Sequence, residues 1–370
     1  MYRFSVPCLM GVEGLVADEL KFKGFEQVQA ENGRVLFSGD ERACARANII
    51  LRCGERILLR VADFTAKSFD QLFENVKSLP WEDFIGEKEA FPVKGFSIHS
   101  QLHSVPDCQR IIKKAVVERL KLVRHTDWLE ESGVKHQIQF SLMSDRCEIF
   151  LDTTGAPLFK RGYKLEQNDA TLRETLAAAL VDLSPWRPGM RLYDPCCGTG
   201  TLLIEAAIKA AQRPAGAKRS FACEQFSFMP KDAMADLKAE AKLAAAKESA
   251  FDIAGSDIDP EALVLANRHI KQAGFDGRIN VQQQDLRTLQ LEGEPGLFLC
   301  NPPYGERLLD IKEAEELYRS LGKVLTMEEG RSFNIISPHD EFESLFGRKA
   351  DKRRKLYNGM IKCQLYMYYK

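Results

Sequence analysis

The sequence has 370 residues, a length that suits two or three domains and can bury a substantial core. Its 52 basic and 53 acidic residues nearly cancel, so binding of a nucleic acid would depend on a local basic patch. The ten cysteines show no Cys-x-x-Cys spacing, and neither a secretory leader nor a long apolar run occurs. These features favour a soluble protein of the reducing cytoplasm, without a membrane partner.

The first 64 residues are predicted to form a ferredoxin-like unit. Strands are expected over Tyr2–Pro7, 27–30, 35–38 and 56–62, with a tight hairpin turn at Asn32-Gly33. Helices are expected over 13–23 and from the N-cap Asp40 to about residue 51. The order βαββαβ is that of a split-βαβ module, and the unit carries no obvious catalytic cluster.

Residues 65–165 predict a second α+β unit. Ser68 is expected to cap a helix that ends near residue 80, and a strand is expected over 92–99. A longer helix should cover 107–122. A hairpin with strands over 136–142 and 146–152 should follow it, with the turn at Ser144-Asp145.

The long helix of this unit has an apolar face and a basic face. The basic residues of interest are Arg110, Lys113, Lys114 and Arg119 on the helix, and Lys160 and Arg161 near the end of the unit. A solvated helix face explains the pattern as well as a phosphate-contacting surface does, because surface lysines are common. Both interpretations are open at this point.

Residues 166–370 begin like a nucleotide-binding α/β domain. An amphipathic segment over 171–182 precedes a short strand over 191–193, and a glycine-containing turn leads into a helix over 202–211. A strand, a glycine turn and a helix open a nucleotide-binding βαβ unit, with helix N–H groups exposed at the turn.

The turn itself is Asp194 to Thr201, in which Gly198 and Gly200 let a ligand approach the backbone closely. Leu203 stands where a dinucleotide fingerprint has its third glycine, and no Lys-Ser or Lys-Thr of a P-loop is present. An uncharged or positive ligand therefore suits the acidic turn better than a pyrophosphate does.

Acidic residues also follow the next two predicted strands. After a strand over 251–256, the Asp257 carboxylate can accept hydrogen bonds from two ribose hydroxyls, and Ile258 can cover an adenine face. Asp259 is expected to cap the next helix, and Asp285 after the following strand can accept from an adenine amino group. One such acid is more often a cap or a surface residue, but three at successive strand ends predict a cofactor site.

A buried strand over Gly296–Cys300 is predicted to end at Asn301-Pro302-Pro303-Tyr304. Neither proline offers an N–H to a sheet and each fixes its own φ, so the strand stops and the backbone stiffens. A strand terminator with a packed tyrosine is the alternative. At the carboxyl end of a sheet the loop instead presents an amide, a carbonyl and an aromatic face to a flat molecule bearing an amino group.

Together these motifs resemble those of class I S-adenosylmethionine-dependent methyltransferases that act on an exocyclic amino group. The resemblance lies in residues 194–201, 257–260, Asp285 and 301–304. Five further segments resemble the bacterial THUMP-domain guanine-N2 methyltransferases of large-subunit (23S) ribosomal RNA: 151–155, 160–163, 172–178, 305–308 and 356–359. The similarity covers nearly the whole chain.

The resemblance implies a Rossmann-like, doubly wound methyltransferase domain over 166–370. Before it would lie α+β domains, ferredoxin-like over 1–64 and THUMP over 65–165. S-adenosylmethionine is the implied cofactor, and 23S ribosomal RNA or a pre-ribosomal particle the implied partner, with neither a metal nor DNA expected. The larger bifunctional relatives carry a second methyltransferase half that this sequence lacks, so only the N2 activity is implied.

The resemblance also implies site residues. Those expected to bind the cofactor are Asp194, Pro195, Cys196, Gly198, Gly200, Thr201, Asp257, Ile258, Asp285, Leu286 and Asn301. Those expected to be catalytic are Asn301, Pro302, Pro303 and Tyr304. The RNA contacts expected are the basic residues of the long helix together with Lys160 and Arg161.

The chemistry expected at this loop is orientation of a weak nucleophile. The lone pair of guanine N2 is delocalised into the ring, and the nucleotide must leave its stack to reach the cofactor. The Asn301 side-chain oxygen and the Pro302 carbonyl would accept from the amino group, and Tyr304 would stack on the base for about 1–3 kcal/mol. The product can lose its proton to water, so positioning would carry the rate.

Two rival interpretations stay open. One is an RNA-binding or ribosome-assembly protein that binds the cofactor without turnover. The other is a methyltransferase with another acceptor: transfer-RNA guanine, DNA adenine or cytosine, or protein glutamine. A transfer-RNA guanine-N2 enzyme is the closest competitor because it shares the THUMP arrangement. A DNA enzyme would need an additional base-reading domain, which the sequence does not indicate.

Overall fold

Two seven-stranded sheets organise the part of the chain that the structure describes. The structure is a computed structural model and describes residues 1–164, 172–245, 250–290, 295–304 and 311–369. Thr171, where the first segment of the third unit was expected to begin, and the 305–308 motif lie outside the described residues. Over these ranges, no helix is both long enough and apolar enough to cross a membrane.

The first sheet is built from the ferredoxin-like unit and the unit that follows it. Its strands are β1 Tyr2–Pro7, β2 Glu26–Glu31, β3 Arg34–Gly39, β4 Leu58–Thr65, β5 Val93–Ile98, β6 Ile138–Met143 and β7 Arg146–Asp152. Its helices are α1 Glu13–Phe22, α2 Glu41–Ile50, α3 Phe69–Lys77 and α4 Val105–Arg124. The predicted caps form, since the Asp40 carboxylate accepts from the Ala43 N–H at 2.8 Å and the Ser68 hydroxyl from the Gln71 N–H at 3.3 Å.

The two units share this sheet, which their sequence patterns did not indicate. The strand order is β2-β3-β1-β4-β7-β6-β5, and β4 pairs antiparallel with β7. Strand β4 begins at Leu58, two residues later than expected. Phe4 of β1, Phe140 of β6 and Ile149 of β7 are buried in the same hydrophobic cluster, so both units contribute to one core.

The second sheet is the doubly wound sheet expected for the third unit. Its strands are β8 Arg191–Asp194, β9 Ile253–Asp257, β10 Asn280–Gln283, β11 Gly296–Cys300, β12 Arg331–Ser337, β13 Lys352–Asn358 and β14 Ile361–Tyr368. Its helices are α5 Glu174–Leu183, α6 Thr201–Ala210, α7 Ala233–Ala245, α8 Pro260–Ala273, α9 Ile311–Val324 and α10 Phe342–Phe346. Helix α7 and all elements after β11 had no sequence prediction.

The order of this sheet is β10-β9-β8-β11-β12-β14-β13, with β8 to β12 parallel and β14 antiparallel to both of its neighbours. Buried side chains cover both faces, which is why β11 reads as a continuous apolar run. Leu297 and Leu299 belong to the core that includes α5 and α6, whereas Cys300 packs with Tyr318 and Leu321 of α9. The predicted fold class is confirmed.

A buried ion pair joins the N-terminal part of the chain to the second sheet. The Arg161 guanidinium lies 3.4 Å from the carboxylate of Glu205 on α6, and the Tyr163 hydroxyl donates to the same carboxylate oxygen at 3.1 Å. Arg161 also donates to the Leu158 carbonyl at 2.7 Å and to the Arg52 carbonyl. The residue is 3% exposed and Glu205 is fully buried.

Arg161 is therefore not placed to contact a phosphate, and it is removed from the expected RNA contacts. The reason is its position at the junction, where its donors are used by Glu205 and by backbone carbonyls. Its neighbour Lys160 is exposed. A second contact supports the same junction, because Arg52 pairs with Asp182 of α5 at 2.9 Å.

Arg161→Ala is expected to destabilise the chain by about 3–5 kcal/mol, because it leaves the buried Glu205 carboxylate without its charged partner. Lys160→Ala, a change at the adjacent exposed lysine, should stay within about 0.5 kcal/mol of the unchanged protein. Denaturant unfolding of the full chain measures both. Equal midpoints for the two variants would contradict a structural role for the Arg161–Glu205 pair.

Candidate cofactor and methyl-transfer site

The sheet brings the predicted site residues to one edge. Strands β10, β9, β8 and β11 are neighbours in that order, so the residues at their carboxyl ends form a row. From one side of the row to the other these are Asp285, Asp257, Asp194 and Asn301. Ligands of open α/β sheets bind at this edge, so the four positions define a candidate site there.

The glycine turn after β8 leaves the first turn of α6 available to a ligand. Gly198 and Gly200 have φ angles of 49° and 80°, which L side chains rarely adopt. Helix α6 begins at Thr201 with no side-chain cap and no acidic residue in its first turn. A Cβ at position 198 would meet nothing within 4 Å, so the backbone there borders open space.

Asp194 is buried behind the glycine turn and bonds its backbone. It is 1% exposed, and its carboxylate accepts from the Cys196 N–H at 3.0 Å. Burial raises the pKa of Asp194 well above its ordinary value, and the nearby Asp257 charge adds to that shift. The buried position makes Asp194 a support for the turn and places Cys196 beside the open edge.

Asp257 links the ends of two strands. One carboxylate oxygen accepts from the Gly198 N–H at 2.8 Å, and the other accepts from the Asp259 N–H at 3.0 Å. Strand β9 also approaches the turn closely, since a Cβ at Gly255 would lie 2.8 Å from the Asp194 carbonyl. A carboxylate has about four acceptor sites, so these two contacts leave Asp257 able to accept from a ribose.

Ile258 and Asp285 are the residues expected to contact the adenine. Ile258 is 57% exposed, so its side chain is accessible to a flat ligand such as an adenine. The Asp285 carboxylate is paired with Arg287 at 2.6 Å, and this contact lowers its pKa. The Leu286 side chain, 4% exposed, lies in the core, so only its backbone is at the edge.

The Asn301 loop presents a buried hydrogen-bond acceptor. Among the described residues, the side-chain oxygen of Asn301 has no hydrogen-bond partner although it is buried. An unpaired buried acceptor costs about 1–3 kcal/mol, so this atom favours a donor that enters the site. Pro302 follows it, and the backbone has left the strand, as the two prolines predicted.

Tyr304 is held by a residue to which the sequence analysis gave no role. Its hydroxyl accepts from the Asn358 side-chain amide at 2.9 Å, and the tyrosine is 9% exposed. Asn358 ends β13 and is 6% exposed. The 356–359 motif contains this residue, but its contact with the loop depends on the pairing of strands far apart in sequence.

The basic residues of α4 differ in how exposed their side chains are. Arg110 is 79% exposed at its side chain and pairs with Asp107, and Lys114 is exposed. Lys113 pairs with Glu131 at 2.5 Å, and Arg119 pairs with Glu82. The exposed set that can face RNA phosphates is therefore Arg110, Lys114 and Lys160.

Models of known families match three consecutive parts of the chain. The RlmL ferredoxin-like domain matches residues 3–58, the THUMP domain matches 66–152 and the RMKL-like methyltransferase domain matches 161–367. The last covers more than half of the chain. The chain belongs to the RMKL-like methyltransferase family. The family resemblance and the domain order expected from the sequence are confirmed.

Relatives of this RMKL-like chain carry RNA methyltransferase names. It is 41% identical to "Putative RNA methyltransferase YpsC" of Bacillus subtilis, over 100% of this chain and 96% of that protein. It is 33% identical to "Ribosomal RNA large subunit methyltransferase K/L" of Photobacterium profundum, over 97% of this chain. The match spans only 51% of that second relative, about half its length.

A solved structure supports the cofactor. The crystal structure of SMU.472, "a putative methyltransferase complexed with SAH", is 37% identical with a TM-score of 0.95, covering 100% of this chain and 98% of that one. The open glycine turn, the exposed Ile258 and the available Asp257 suit an adenosine with a positive sulfonium. S-adenosylmethionine is the cofactor of this RMKL-like chain, and methyl transfer to RNA is its activity class.

Asp257→Ala is expected to weaken S-adenosylmethionine binding by about 2–4 kcal/mol, because the ribose loses a charged acceptor and the Gly198 turn loses its anchor. Asp259→Ala is the control, since that carboxylate caps α8 through the Glu261 N–H at 2.8 Å and should affect stability instead. Calorimetric titration measures the affinity. Unchanged affinity in Asp257→Ala would remove this residue from the cofactor site.

Proposed function

We propose that the chain transfers a methyl group from S-adenosylmethionine to the exocyclic N2 of a guanine in large-subunit (23S) ribosomal RNA. The observation that carries methyl transfer to an amino group is the buried side-chain oxygen of Asn301, which has no partner among the described residues and follows the strand next to the cofactor turn. An exocyclic amino group would supply the hydrogen-bond donor that this oxygen lacks. Guanine is proposed from the family resemblance in the sequence, and ribosomal RNA from the names of the relatives. The proposed catalytic residues are Asn301, Pro302, Pro303 and Tyr304.

In the proposed complex, the two N–H groups of the amino group donate hydrogen bonds, one to the Asn301 side-chain oxygen and one to the Pro302 carbonyl. This geometry turns the nitrogen lone pair away from the ring and toward the methyl donor. The cofactor, when bound, supplies a methyl group activated by its sulfonium. The resulting ammonium is acidic and loses its proton to water, so the chain needs to orient the reactants and provides no strong base in this loop.

Tyr304 forms an aromatic wall beside the amino group. The nucleotide must leave its stack to enter, and an aromatic side chain compensates for the stacking that it loses. Because the ring is largely covered and its hydroxyl is held by Asn358, it loses little conformational freedom when a base stacks on it.

The choice of ribosomal RNA is supported by the relatives named for the large ribosomal subunit, together with the THUMP match over 66–152. Domain boundaries of 1–64, 65–165 and 166–370 are proposed on the same basis. In this arrangement the exposed cations Arg110, Lys114 and Lys160 hold RNA phosphates while the sheet edge receives the base.

Deletion of the gene is expected to remove N2-methylguanine from one position of large-subunit ribosomal RNA, as measured by mass mapping of nucleosides. The wild-type chain should restore it, and Asn301→Ala should not, although its S-adenosylmethionine affinity stays within about twofold because the residue orients the acceptor. Loss of a transfer-RNA methylation instead would favour the competing substrate. Full activity of Asn301→Ala would remove the loop from the chemistry.

Removing the exposed cations should weaken RNA binding and make it less sensitive to salt. Each lost phosphate contact lowers the slope of log affinity against log salt by about 0.7–0.9. We expect Lys114→Gln with Lys160→Gln to lose about two such contacts, and Lys113→Gln to lose little because Glu131 already pairs with Lys113. Filter binding over a salt series measures the slopes. Identical slopes for all variants would indicate that α4 is a solvated surface that does not contact RNA.

A further inference from the structure

The hairpin formed by β13 and β14 lies at the far end of the strand order of the second sheet, and one of its residues contacts the Asn301 loop. The Asn358 side-chain amide donates to the Tyr304 hydroxyl at 2.9 Å. Both residues are buried, with exposed fractions of 6% and 9%. A hydrogen bond shielded from water in this way restrains both partners more than the same contact at the surface would.

The contact crosses a large part of the sheet edge. Strands β12 and β14 lie between β11 and β13, so three interstrand steps of about 4.8 Å separate the strand that leads into the loop from the one that ends at Asn358. Three extended residues after Asn301 span at most about 10 Å, and the tyrosine side chain adds the remainder. The loop therefore runs along the carboxyl edge, stiffened by Pro302 and Pro303.

Asn358 is itself held by a tight turn. It pairs with Ile361, so Gly359 and Met360 form a two-residue hairpin loop. Gly359 has a φ of 66° at the first loop position, where a type II′ turn requires a positive φ. The tip is exposed, with Met360 at 97%, but the asparagine beneath it is fixed by strand pairing.

Helix α9 packs against the end of the strand that leads into the loop, where Cys300 shares a buried cluster with Tyr318 and Leu321. Tyr318 is fully buried, and its hydroxyl accepts from the Ser337 hydroxyl at 3.1 Å. Burial raises the pKa of Tyr318 to about 12, and Cys300, Tyr304 and Cys363 are among the nearby groups that add to the shift. The Tyr304 hydroxyl itself is held from β13, by Asn358.

We infer that Asn358 is a positioning residue for methyl transfer, which acts by holding the Tyr304 hydroxyl and thereby fixing the ring and the end of the Asn301 loop. This inference rests on the proposed function of that loop. Asn358 does not touch the reacting atoms in this account. Its effect reaches them only through Tyr304, which makes the inference separable from a general contribution to folding.

The inference is tested with Asn358→Ala, Tyr304→Phe and the double variant in single-turnover methyl transfer to ribosomal RNA. Each single change removes the same hydrogen bond and should slow transfer by about tenfold, with cofactor affinity within about twofold. The double variant should be no slower than the slower single variant, because the two residues act as one unit. Asn358→Asp, whose carboxyl group can still bond the phenol, should recover most of the rate.

Tyr357→Phe is the matched control. It removes a hydroxyl from the residue next to Asn358 in β13, on the opposite face of the strand, and should leave the rate unchanged. Full transfer rate in Asn358→Ala, or multiplied losses in the double variant, would overturn the inference. So would a loss in Asn358→Ala that tracks only a lowered unfolding midpoint and disappears at a temperature where the variant is folded.

A measurement without RNA separates this inference from the proposed function. In protein labelled with ¹³C at the tyrosine Cζ, the Tyr304 signal is identified by its absence in Tyr304→Phe. It should shift in Asn358→Ala and stay in place in Tyr357→Phe. An unmoved signal overturns the inference. A moved signal in a protein that methylates neither ribosomal nor transfer RNA supports the Asn358–Tyr304 restraint and refutes the proposed function.

Discussion

The buried pair of Arg161 and Glu205 is the contact on which the use of two sheets for one reaction depends. A buried charge is tolerated only with a well-placed partner, so the junction has one favourable arrangement. The pair helps to hold the segment that follows the first sheet against α6 of the second. The proposed function requires such a fixed junction, because RNA held on α4 would have to present its base at the Asn301 edge, and a misplacement of about 1 Å can cost a hundredfold in rate.

The cofactor edge follows a similar rule on a smaller scale. The Asp257 carboxylate accepts one hydrogen bond from the Gly198 N–H in the glycine turn and one from the Asp259 N–H just before α8. It thereby aligns the ends of β8 and β9 without a ligand. Asp194 is buried behind the turn, where burial raises its pKa. The acid that supports the turn and the acid proposed to bind the ribose therefore differ in position, although both end a strand.

Local signals in the sequence were sufficient for much of this site. Each strand-end acid directly follows a predicted strand, and Asp40, Ser68 and Asp259 are caps that act within three residues. Lys160 and Arg161 are indistinguishable by such signals, yet one is exposed and the other is buried against Glu205, 44 residues away. The pairing of β4 with β7 and the contact of Asn358 with Tyr304 likewise depend on residues far apart in sequence, which no local pattern specifies.

The orphaned oxygen of Asn301 explains what the loop can and cannot select. A site whose buried acceptor is unpaired gains from any exocyclic amine and penalises a base that presents a carbonyl there, because the acceptor would stay unsatisfied. Guanine, adenine and cytosine all carry such an amine. Selection among them therefore cannot come from this oxygen alone. It requires further contacts to the base or, in the proposed complex, delivery of one nucleotide to the edge by the RNA-binding part.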